Sequence, residues 1–279
     1  MCKKITAFFL ALMLICSCTA AAAVDKYGGF EIPVDICING SFIKCVQKPI
    51  MVNNRAYIPL RAFSDAIGGT LSWDADINAA TFTKNSKSFL FYEERDYSII
   101  NGKESSHSAI MYKNLMFIPV RAVSEALDYG VKWDAEYLIV NISAPGVELS
   151  QNATDNTYSY DDMVLLSRIT HIEGGSQTVK TKVGIAQTVL NRVKSPLFPG
   201  TVKGVVFDTK YGVQFPPAHT DLINNTPSKS SIIAAKCALN GADVVGNSLY
   251  FISARNAESS WAHNNRQHYI TLGGMNFYL

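Results

Sequence analysis

The chain has 279 residues, of which 48% are hydrophobic and 17% are charged, and its formal net charge is +2 at pH 7. This composition is typical of a globular protein and excludes a disordered or fibrous chain. The length predicts two domains.

Charge is divided unevenly between the two halves of the chain. Residues 24–156 carry 12 Lys/Arg and 16 Asp/Glu, a net of −4, whereas residues 157–279 carry 11 and 7, a net of +4. The basic second half favours an anionic partner, such as a bacterial wall polymer. Neither half has a dense Lys/Arg cluster or a ladder of aromatic and basic residues, which argues against a nucleic-acid partner.

Residues 1–23 are predicted to be a signal peptide. Lys3 and Lys4 form a charged start, residues 5–15 an apolar run, and residues 20–23 a small-residue cleavage region. The apolar run is shorter than the ~20 residues that a membrane-spanning helix needs. A retained anchor and a lipid anchor at Cys18 are the alternatives. In every case we expect the body of the protein to be extracytoplasmic, either secreted or associated with the cell wall.

An internal repeat organises residues 34–143. The segment 57–67 (YIPLRAFSDAI) returns at 117–127 (FIPVRAVSEAL), and Trp73-Asp74-Ala75 returns as Trp133-Asp134-Ala135, at the same offset of 60 residues. Each copy is predicted to form a strand, a short helix and two further strands. Pro59 and Pro119 suit the first helical position, and the Asn-Gly pairs at 39–40 and 101–102 predict hairpin turns.

These two copies resemble the copper amine oxidase N-terminal-like repeats. The family name does not imply copper here, because His107 is the only histidine in the segment. Arg61, Arg121, Trp73 and Trp133 are either a set that faces a ligand or a structural set. The structural interpretation, which we favour, buries the tryptophans and bonds the arginines to backbone at the helix starts. The expected role of the domain is that of a stalk or of a module that contacts a cell-wall polymer.

Three cysteines follow the cleavage region. Cys37 and Cys45 flank the predicted turn at 38–41 and could pair as a disulfide in an oxidising compartment. Cys237 lies in a helix of small residues and is predicted to be a buried thiol. No cysteine pair has the spacing of a zinc site.

Residues 144–160 are predicted to be a polar linker that would let the domains move, and residues 161–279 a second, helix-rich domain. Helices are expected over residues 160–172, 179–193 and 230–239, followed by strands at 248–252 and 277–278. The apolar face of the first helix is predicted to comprise Val164, Leu165, Ile169 and Ile172. Gly174-Gly175 is predicted to end that helix, directly after Glu173. A carboxylic acid at a helix end, beside flexible backbone and with no Cys/His pair nearby, points to a general acid for glycosidic-bond cleavage.

The second domain resembles the SleB/CwlJ-type cell-wall hydrolase family, which includes spore cortex-lytic enzymes. The resemblance rests on an ordered series of short motifs over about 163–279. They are Ile172-Glu173-Gly174-Gly175, residues 189–196 (VLNRVKSP), Phe198-Pro199, residues 201–206 (TVKGVV), Gln214-Phe215, residues 249–251 (LYF), Trp261 and Phe277-Tyr278. The resemblance implies a lysozyme-like fold with a small sheet, so the whole chain is expected to be of the α+β class. It also implies cleavage of peptidoglycan glycan strands without a cofactor, with Glu173 at the position of the catalytic glutamate.

The family's second acid, four residues after the catalytic one, is replaced here by Gln177. A one-acid mechanism is compatible with that change. In it Glu173 first protonates the leaving oxygen and then acts as base, while the C6 hydroxyl of the sugar attacks and forms a 1,6-anhydro-muramic acid end. This favours a lytic transglycosylase over a hydrolytic muramidase. Met275 stands where the family tends to have a histidine, which leaves a contact there open.

The remaining candidates would bind substrate. Gln214 and Phe215 would hydrogen-bond to and stack on a sugar, Tyr250 would orient the acid or bind an N-acetyl group, and Trp261 would be a stacking platform. Asn191 either contacts substrate or ties down backbone. For the aromatic residues, packing in the core is an equal alternative.

Two other functions remain open. A zinc amidase would draw ligands from His171, Glu173, His219, His263 and His268, although none of these has a recognised zinc-motif spacing. A non-enzymatic wall-binding protein is the other, motivated by Gln177, Met275 and the missing second acid. The oligomeric state has no sequence signal.

Overall fold

The computed structural model describes residues 23–210 and 212–279. The predicted signal peptide, apart from Ala23, and the candidate lipid anchor lie outside these residues. Among the described residues, no helix is long and apolar enough to cross a membrane.

The first domain contains strands β1–β15 and helices α1 and α2. Their bounds are β1 Lys26–Tyr27, β2 Phe30–Glu31, β3 Asp35–Ile38, β4 Ser41–Phe42, β5 Ile50–Val52, β6 Arg55–Pro59, α1 Leu60–Ile67, β7 Thr70–Asp74, β8 Ala79–Lys84, β9 Lys87–Tyr92, β10 Ser98–Ile100, β11 Lys103–Ser105, β12 Ile110–Tyr112, β13 Leu115–Pro119, α2 Val120–Ala126, β14 Gly130–Asp134 and β15 Ile139–Ser143.

The second domain contains helices α3–α7 and strands β16–β18. Their bounds are α3 Tyr160–Gly174, α4 Val179–Lys194, α5 Val202–Val206, α6 Lys229–Leu239, β16 Tyr250–Ser253, α7 Trp261–Asn265, β17 His268–Leu272 and β18 Met275–Tyr278. The chain is therefore of the predicted α+β class. Of these elements, α5, α7 and β17 were not predicted.

The repeat forms two β-α-β-β units, as predicted: β6-α1-β7-β8 and β13-α2-β14-β15. The two units join through their equivalent first strands, since β6 and β13 pair antiparallel with Ile58 opposite Ile118. These two residues are 60 positions apart, so the pairing relates the copies by an approximate two-fold axis. The four-stranded sheet β12-β13-β6-β5 is thus shared by both copies.

The helix boundaries in each repeat follow from local backbone chemistry. Pro59 and Pro119 are the N-cap residues, one position before the predicted one. Gly68 ends α1 in the left-handed conformation at φ 67°, where glycine carries no Cβ penalty. Asn39-Gly40 and Asn101-Gly102 both have positive φ and close the predicted hairpins.

The structural interpretation of the repeat's tryptophans and arginines is wrong for Trp73 and Arg121, whereas Trp133 is partly buried and packs against the core. Phenylalanines, not tryptophans, fill the first copy's core, where Phe82 stacks on Phe89 with ring centroids 5.2 Å apart. Trp73 is 53% exposed. Arg121 contacts the Glu125 carboxylate at 3.3 Å, one helical turn away, and not the backbone. Trp73 and Arg121 therefore lie exposed on the surface of the repeat domain.

The three described cysteines are free and buried. Cys37 packs in a small cluster with Tyr137 and Ile139, whereas Cys45 belongs to the large core of the first domain. The possible Cys37–Cys45 disulfide is therefore not formed. Cys237 is buried, as predicted, and burial raises its thiol pKa to about 12.

The segment predicted to be a linker packs against the first domain. Ala144 is fully buried, Thr154 forms a bridge with Ile43, and Asp155 accepts a hydrogen bond from Lys48 at 2.7 Å. Polarity alone indicated a mobile connection, but these contacts hold the segment in place.

The helices of the second domain pack around α4 and α6. A capping box at Ser159 and Asp162 starts α3. The apolar face of α3 is rotated from the predicted one, because Met163, Leu166 and Ile169 are its fully buried apolar side chains. Ile172 is only half-buried. Strands β16, β18 and β17 form a three-stranded sheet in that order.

A buried ion pair joins the two domains. Lys236 on α6 is fully buried, and its Nζ lies 2.9 Å from Asp35 Oδ2 on β3. The same Nζ donates to the carbonyl oxygens of Tyr137 and Leu138 at 2.7 and 2.9 Å. Tyr158 donates its hydroxyl to Asp35 Oδ1 at 3.0 Å. Leu138 also belongs to the core of the second domain, so apolar packing continues across the interface.

Candidate active site

A groove of about 520 Å³ opens at the C-terminal end of α3. Its walls come from the α3–α4 turn, the 214–217 segment, and strands β16 and β18. The sequence separates these pieces by up to about a hundred residues. Glu173 is the only acidic side chain among the described residues that line the groove.

The environment of Glu173 suits a proton donor. Burial raises the pKa of its carboxyl group above the ordinary value, and nearby Arg192 opposes part of this rise. Among the described residues, none donates a hydrogen bond to the carboxylate. A carboxyl group in such surroundings stays protonated to a higher pH than an exposed one. Gly175, two residues after Glu173, has a φ of 43° and open space where a Cβ would lie. Because it is a glycine, it adds no side chain to the groove.

Arg192 is a groove residue that sequence reasoning missed. It comes from α4, is 5% exposed, and donates from Nε to the Leu249 carbonyl at 2.7 Å. Its Cζ lies 4.9 Å from the Phe198 ring centroid and 5.2 Å from that of Phe215. Burial lowers the pKa of Arg192 to about 10. Its Nη1 is buried without a hydrogen-bond partner, which leaves one donor available beside the groove.

Gln214 and Phe215 both line the groove, next to Glu173. Gln214 is half-buried and donates to the Gly212 carbonyl at 3.3 Å. Phe215 is only 2% exposed and packs 6.1 Å from Phe251. The ring of Phe215 is therefore part of the wall, not an open face on which a sugar could stack.

Tyr250 and Trp261 lie together beside the groove, not among the residues that line it. Their rings meet edge to face at 5.6 Å, and Arg266 lies over both, 4.6 Å from the Trp261 centroid. Trp261 is 56% exposed. Core packing therefore does not account for Trp261, and its indole is open to a ligand.

Asn191 is not a groove residue. Its amide donates to the carbonyl oxygens of Gly246 and Ser248 at 2.8 and 3.0 Å, so it ties down backbone. Gln177, in contrast, lines the groove and accepts from the Gly274 N–H at 3.0 Å. It thereby fixes the β17–β18 hairpin. Met275 also lines the groove, where it adds apolar surface.

The histidines of the zinc alternative lie apart. His171 accepts from the Ser228 N–H at 3.4 Å, whereas His219 packs on Phe207 and His263 and His268 both pack on Tyr278. Within residues 23–210 and 212–279, no group of three His, Cys, Asp or Glu side chains could hold a metal ion.

Two known families match parts of the chain. The family described as Copper amine oxidase N-terminal domain matches residues 37–142 and 99–176. The family described as Cell Wall Hydrolase matches residues 176–278. The chain carries a copper amine oxidase N-terminal domain and a cell wall hydrolase domain. Both resemblances stated from the sequence are thereby confirmed. The hydrolase match begins three residues after Glu173, so the groove straddles its boundary.

Several spore cortex-lytic enzymes are similar to part of the chain. The enzyme from Bacillus cereus is 34% identical over 106 residues, which are 38% of this chain and 40% of that enzyme. The enzyme from Oceanobacillus iheyensis is 31% identical over 104 residues, which are 37% of this chain and 37% of that enzyme. The enzyme from Bacillus subtilis is 32% identical over 104 residues, which are 37% of this chain and 33% of that enzyme. The chain thus spans about two fifths or less of the length of these curated relatives.

Two solved structures are also similar to the chain. The catalytic domain of the germination-specific lytic transglycosylase SleB from Bacillus anthracis is 29% identical, with a TM-score of 0.41. The matched region covers 45% of this chain and 100% of that structure. The catalytic domain of Bacillus cereus SleB is 30% identical with the same TM-score, covering 45% and 94%.

Proposed function

We propose that this protein cleaves the glycan strands of peptidoglycan as a lytic transglycosylase. Glu173 protonates the glycosidic oxygen and then, as a carboxylate, accepts the proton of the C6 hydroxyl that attacks the anomeric carbon. The product is a 1,6-anhydro-muramic acid end, and no water is consumed. The observation that carries this proposal is a single acid of raised pKa in a groove that also contains residues of the cell wall hydrolase match.

The groove lining supports transglycosylation over hydrolysis. A hydrolytic glycosidase uses a second carboxylate, roughly 5–9.5 Å from the first, as nucleophile or as base for water. The described lining contains no such group, and Gln177 already accepts a backbone hydrogen bond. Phe215, Phe251 and Met275 present apolar surface that disfavours an ordered water. Hydrolysis by Glu173 alone is the second candidate.

The products of a peptidoglycan digest distinguish these reactions. We expect muropeptides with 1,6-anhydro-muramic acid ends, measured by mass spectrometry after incubation of purified protein with wall or cortex material. Reducing muramic acid ends would replace transglycosylation by hydrolysis. Cleaved peptide bonds with intact glycan strands would overturn the glycosidase proposal.

Removal of the charge at Arg192 is expected to change the pH dependence of cleavage. Glu173 must be protonated to act as acid, so activity falls as pH rises through its pKa. Arg192 lowers that pKa, and Arg192→Met should therefore move the basic limb of kcat/KM to higher pH.

Arg192→Lys is the matched control, because it keeps the charge while losing the Nε bond to Leu249. We expect its basic limb to stay nearer to that of the wild type. Since both variants lose packing against Phe198 and Phe215, thermal melting is measured alongside. Basic limbs that coincide in all three proteins would show that Arg192 does not tune Glu173.

The proposed substrate requires an extracytoplasmic location, secreted or at the cell wall. Tyr250, Trp261 and Arg266 then form an aromatic and cationic surface next to the groove that would hold the glycan strand beyond the cleavage point. The repeat domain would contact the wall polymer. Its exposed Trp73 and Arg121 favour that role over a purely structural one.

A further inference from the structure

A second cavity, of about 470 Å³, lies between the repeat domain and α6. Its floor is apolar and comes mainly from the second repeat copy and the β5–β6 hairpin. The apolar lining residues are Ile32, Met51, Ala56, Pro119, Val120, Ala122, Val131, Trp133, Ala135, Leu138 and Val140.

The charged residues of this cavity are predominantly cationic. Arg55, Arg121, Lys229 and His107 line it, and Glu125 is the only acid among its described lining residues. Glu125 offsets Arg121 through a contact of 3.3 Å. The first domain carries net negative charge, so this concentration of cations runs against the charge of the surrounding domain.

The hydrolase domain contributes one residue, Lys229, to the lining of the cavity. Arg61 and Trp73, the counterparts of Arg121 and Trp133 in the first repeat copy, do not line it. Beside the second copy, Lys229 at the start of α6 lines the cavity, with its Nζ 5.8 Å from the Tyr27 ring centroid. The two copies share a sequence pattern, but only the second shares this cavity with the hydrolase domain.

The cavity and the catalytic groove lie at the same end of the hydrolase domain. Ser228, directly before Lys229, donates its N–H to His171 Nδ1 at 3.4 Å. His171 is two residues before Glu173 on α3.

We propose that this cavity binds the short acidic peptide that peptidoglycan carries on its muramic acid residues. The inference rests on the proposed substrate, whose stem peptides combine small methyl side chains with several carboxylates. The methyl groups would lie on the apolar floor, and the carboxylates would pair with Arg121, Lys229 and Arg55. A polymer of glycerol phosphate matches the cations but has no groups for the floor.

A fluorescein-labelled stem tetrapeptide of alanine, glutamate, diaminopimelate and alanine tests the proposal. It is titrated into the full chain with fluorescence anisotropy as the readout. We expect saturable binding, weakened about tenfold or more in Arg121→Glu/Lys229→Glu, because two cations become repulsive anions. Arg61→Glu/Lys180→Glu is the matched control. It makes the same charge change at exposed sites outside the cavity and should stay within about twofold.

Three results would overturn the inference: no binding of the peptide, equal weakening in both double variants, or stronger competition by poly(glycerol phosphate) than by unlabelled peptide. All four substituted residues are exposed, so similar melting temperatures are expected throughout. Binding of the peptide needs no cleavage. Peptide binding without glycan cleavage would uphold this cavity and overturn the transglycosylase proposal, and cleavage without peptide binding would do the reverse.

Discussion

Replacement of Glu173 by glutamine is expected to abolish peptidoglycan cleavage, with a loss in kcat of about 10²–10⁴-fold or more. Glutamine keeps the size and polarity of the side chain but has no proton to donate to the glycosidic oxygen. It also cannot accept the C6 hydroxyl proton in the second half of the reaction. Because the described groove holds no other acid, no neighbouring carboxyl group can substitute. Release of soluble muropeptides from purified peptidoglycan measures the effect.

The folding of this variant should be unimpaired. Burial raises the pKa of Glu173, so the folded state binds a proton more tightly than the unfolded chain does. Stability is therefore lost as pH rises from the unfolded pKa to the folded pKa, and the loss is complete above the folded pKa. Glutamine cannot ionise, so at neutral pH Glu173→Gln should melt no lower than the wild type.

Glu258→Gln serves as the matched control, since Glu258 is an exposed acid of the same domain. We expect it to keep wild-type activity. Cleavage by Glu173→Gln at a rate near that of the control would remove Glu173 from the mechanism. An inactive wild-type protein that still binds peptidoglycan would support the alternative of a wall-binding protein.

Lys236→Met is expected to lower the free energy of unfolding by about 3–5 kcal/mol. The substitution leaves the carboxylate of Asp35 buried without its cation, and it removes the donor to the Tyr137 and Leu138 carbonyl oxygens. These partners lie in the first domain, whereas Lys236 is in the second. The destabilisation should therefore include the contact between domains, measured by denaturant unfolding.

The double variant Asp35→Asn/Lys236→Met tests whether the unpaired Asp35 carboxylate causes the loss of stability. It removes the uncompensated charge, while the amide oxygen of the new asparagine side chain can still accept the Tyr158 hydroxyl, so we expect it to regain part of the lost stability. Lys229→Met, a surface change on the same helix, should stay within about 0.5 kcal/mol of the wild type. If Lys236→Met is no more harmful than Lys229→Met, the buried pair does not hold the domains together.

Sequence reasoning succeeded where a local signal decides the structure. The Asn-Gly hairpins, the Gly68 helix end and the three main helices of the second domain depend on backbone preferences and short-range periodicity. The wrong predictions concern burial, which depends on residues that are close in space but remote in sequence. The orientation of α3 was misjudged because helices and loops surround it on several sides, and Trp73 was assigned to a core that phenylalanines fill.

The candidate site shows the same division. The sequence predicted an acid at the end of an apolar helix and its place in an ordered series of family motifs. Arg192 was not predicted, because a basic residue near the end of a helix ordinarily lies in water. Its burial arises from nearby Phe198 together with Phe215 and the Leu249 carbonyl, which are 23 and 57 residues away in the chain. The neighbouring Asn191 does not line the groove. It holds backbone carbonyl groups in place, which was the second of its two predicted roles.

The sequence by itself determined the two family resemblances, the 60-residue repeat and Glu173 as the candidate acid, because each depends on contiguous or periodic residues. Only the tertiary structure decided what surrounds Glu173 and how the domains meet. The raised pKa of the acid, the unpartnered Arg192 Nη1 and the Asp35–Lys236 pair all depend on the removal of water by segments that are remote in sequence. Burial of this kind is a property of the assembled fold, and no local pattern of residues encodes it.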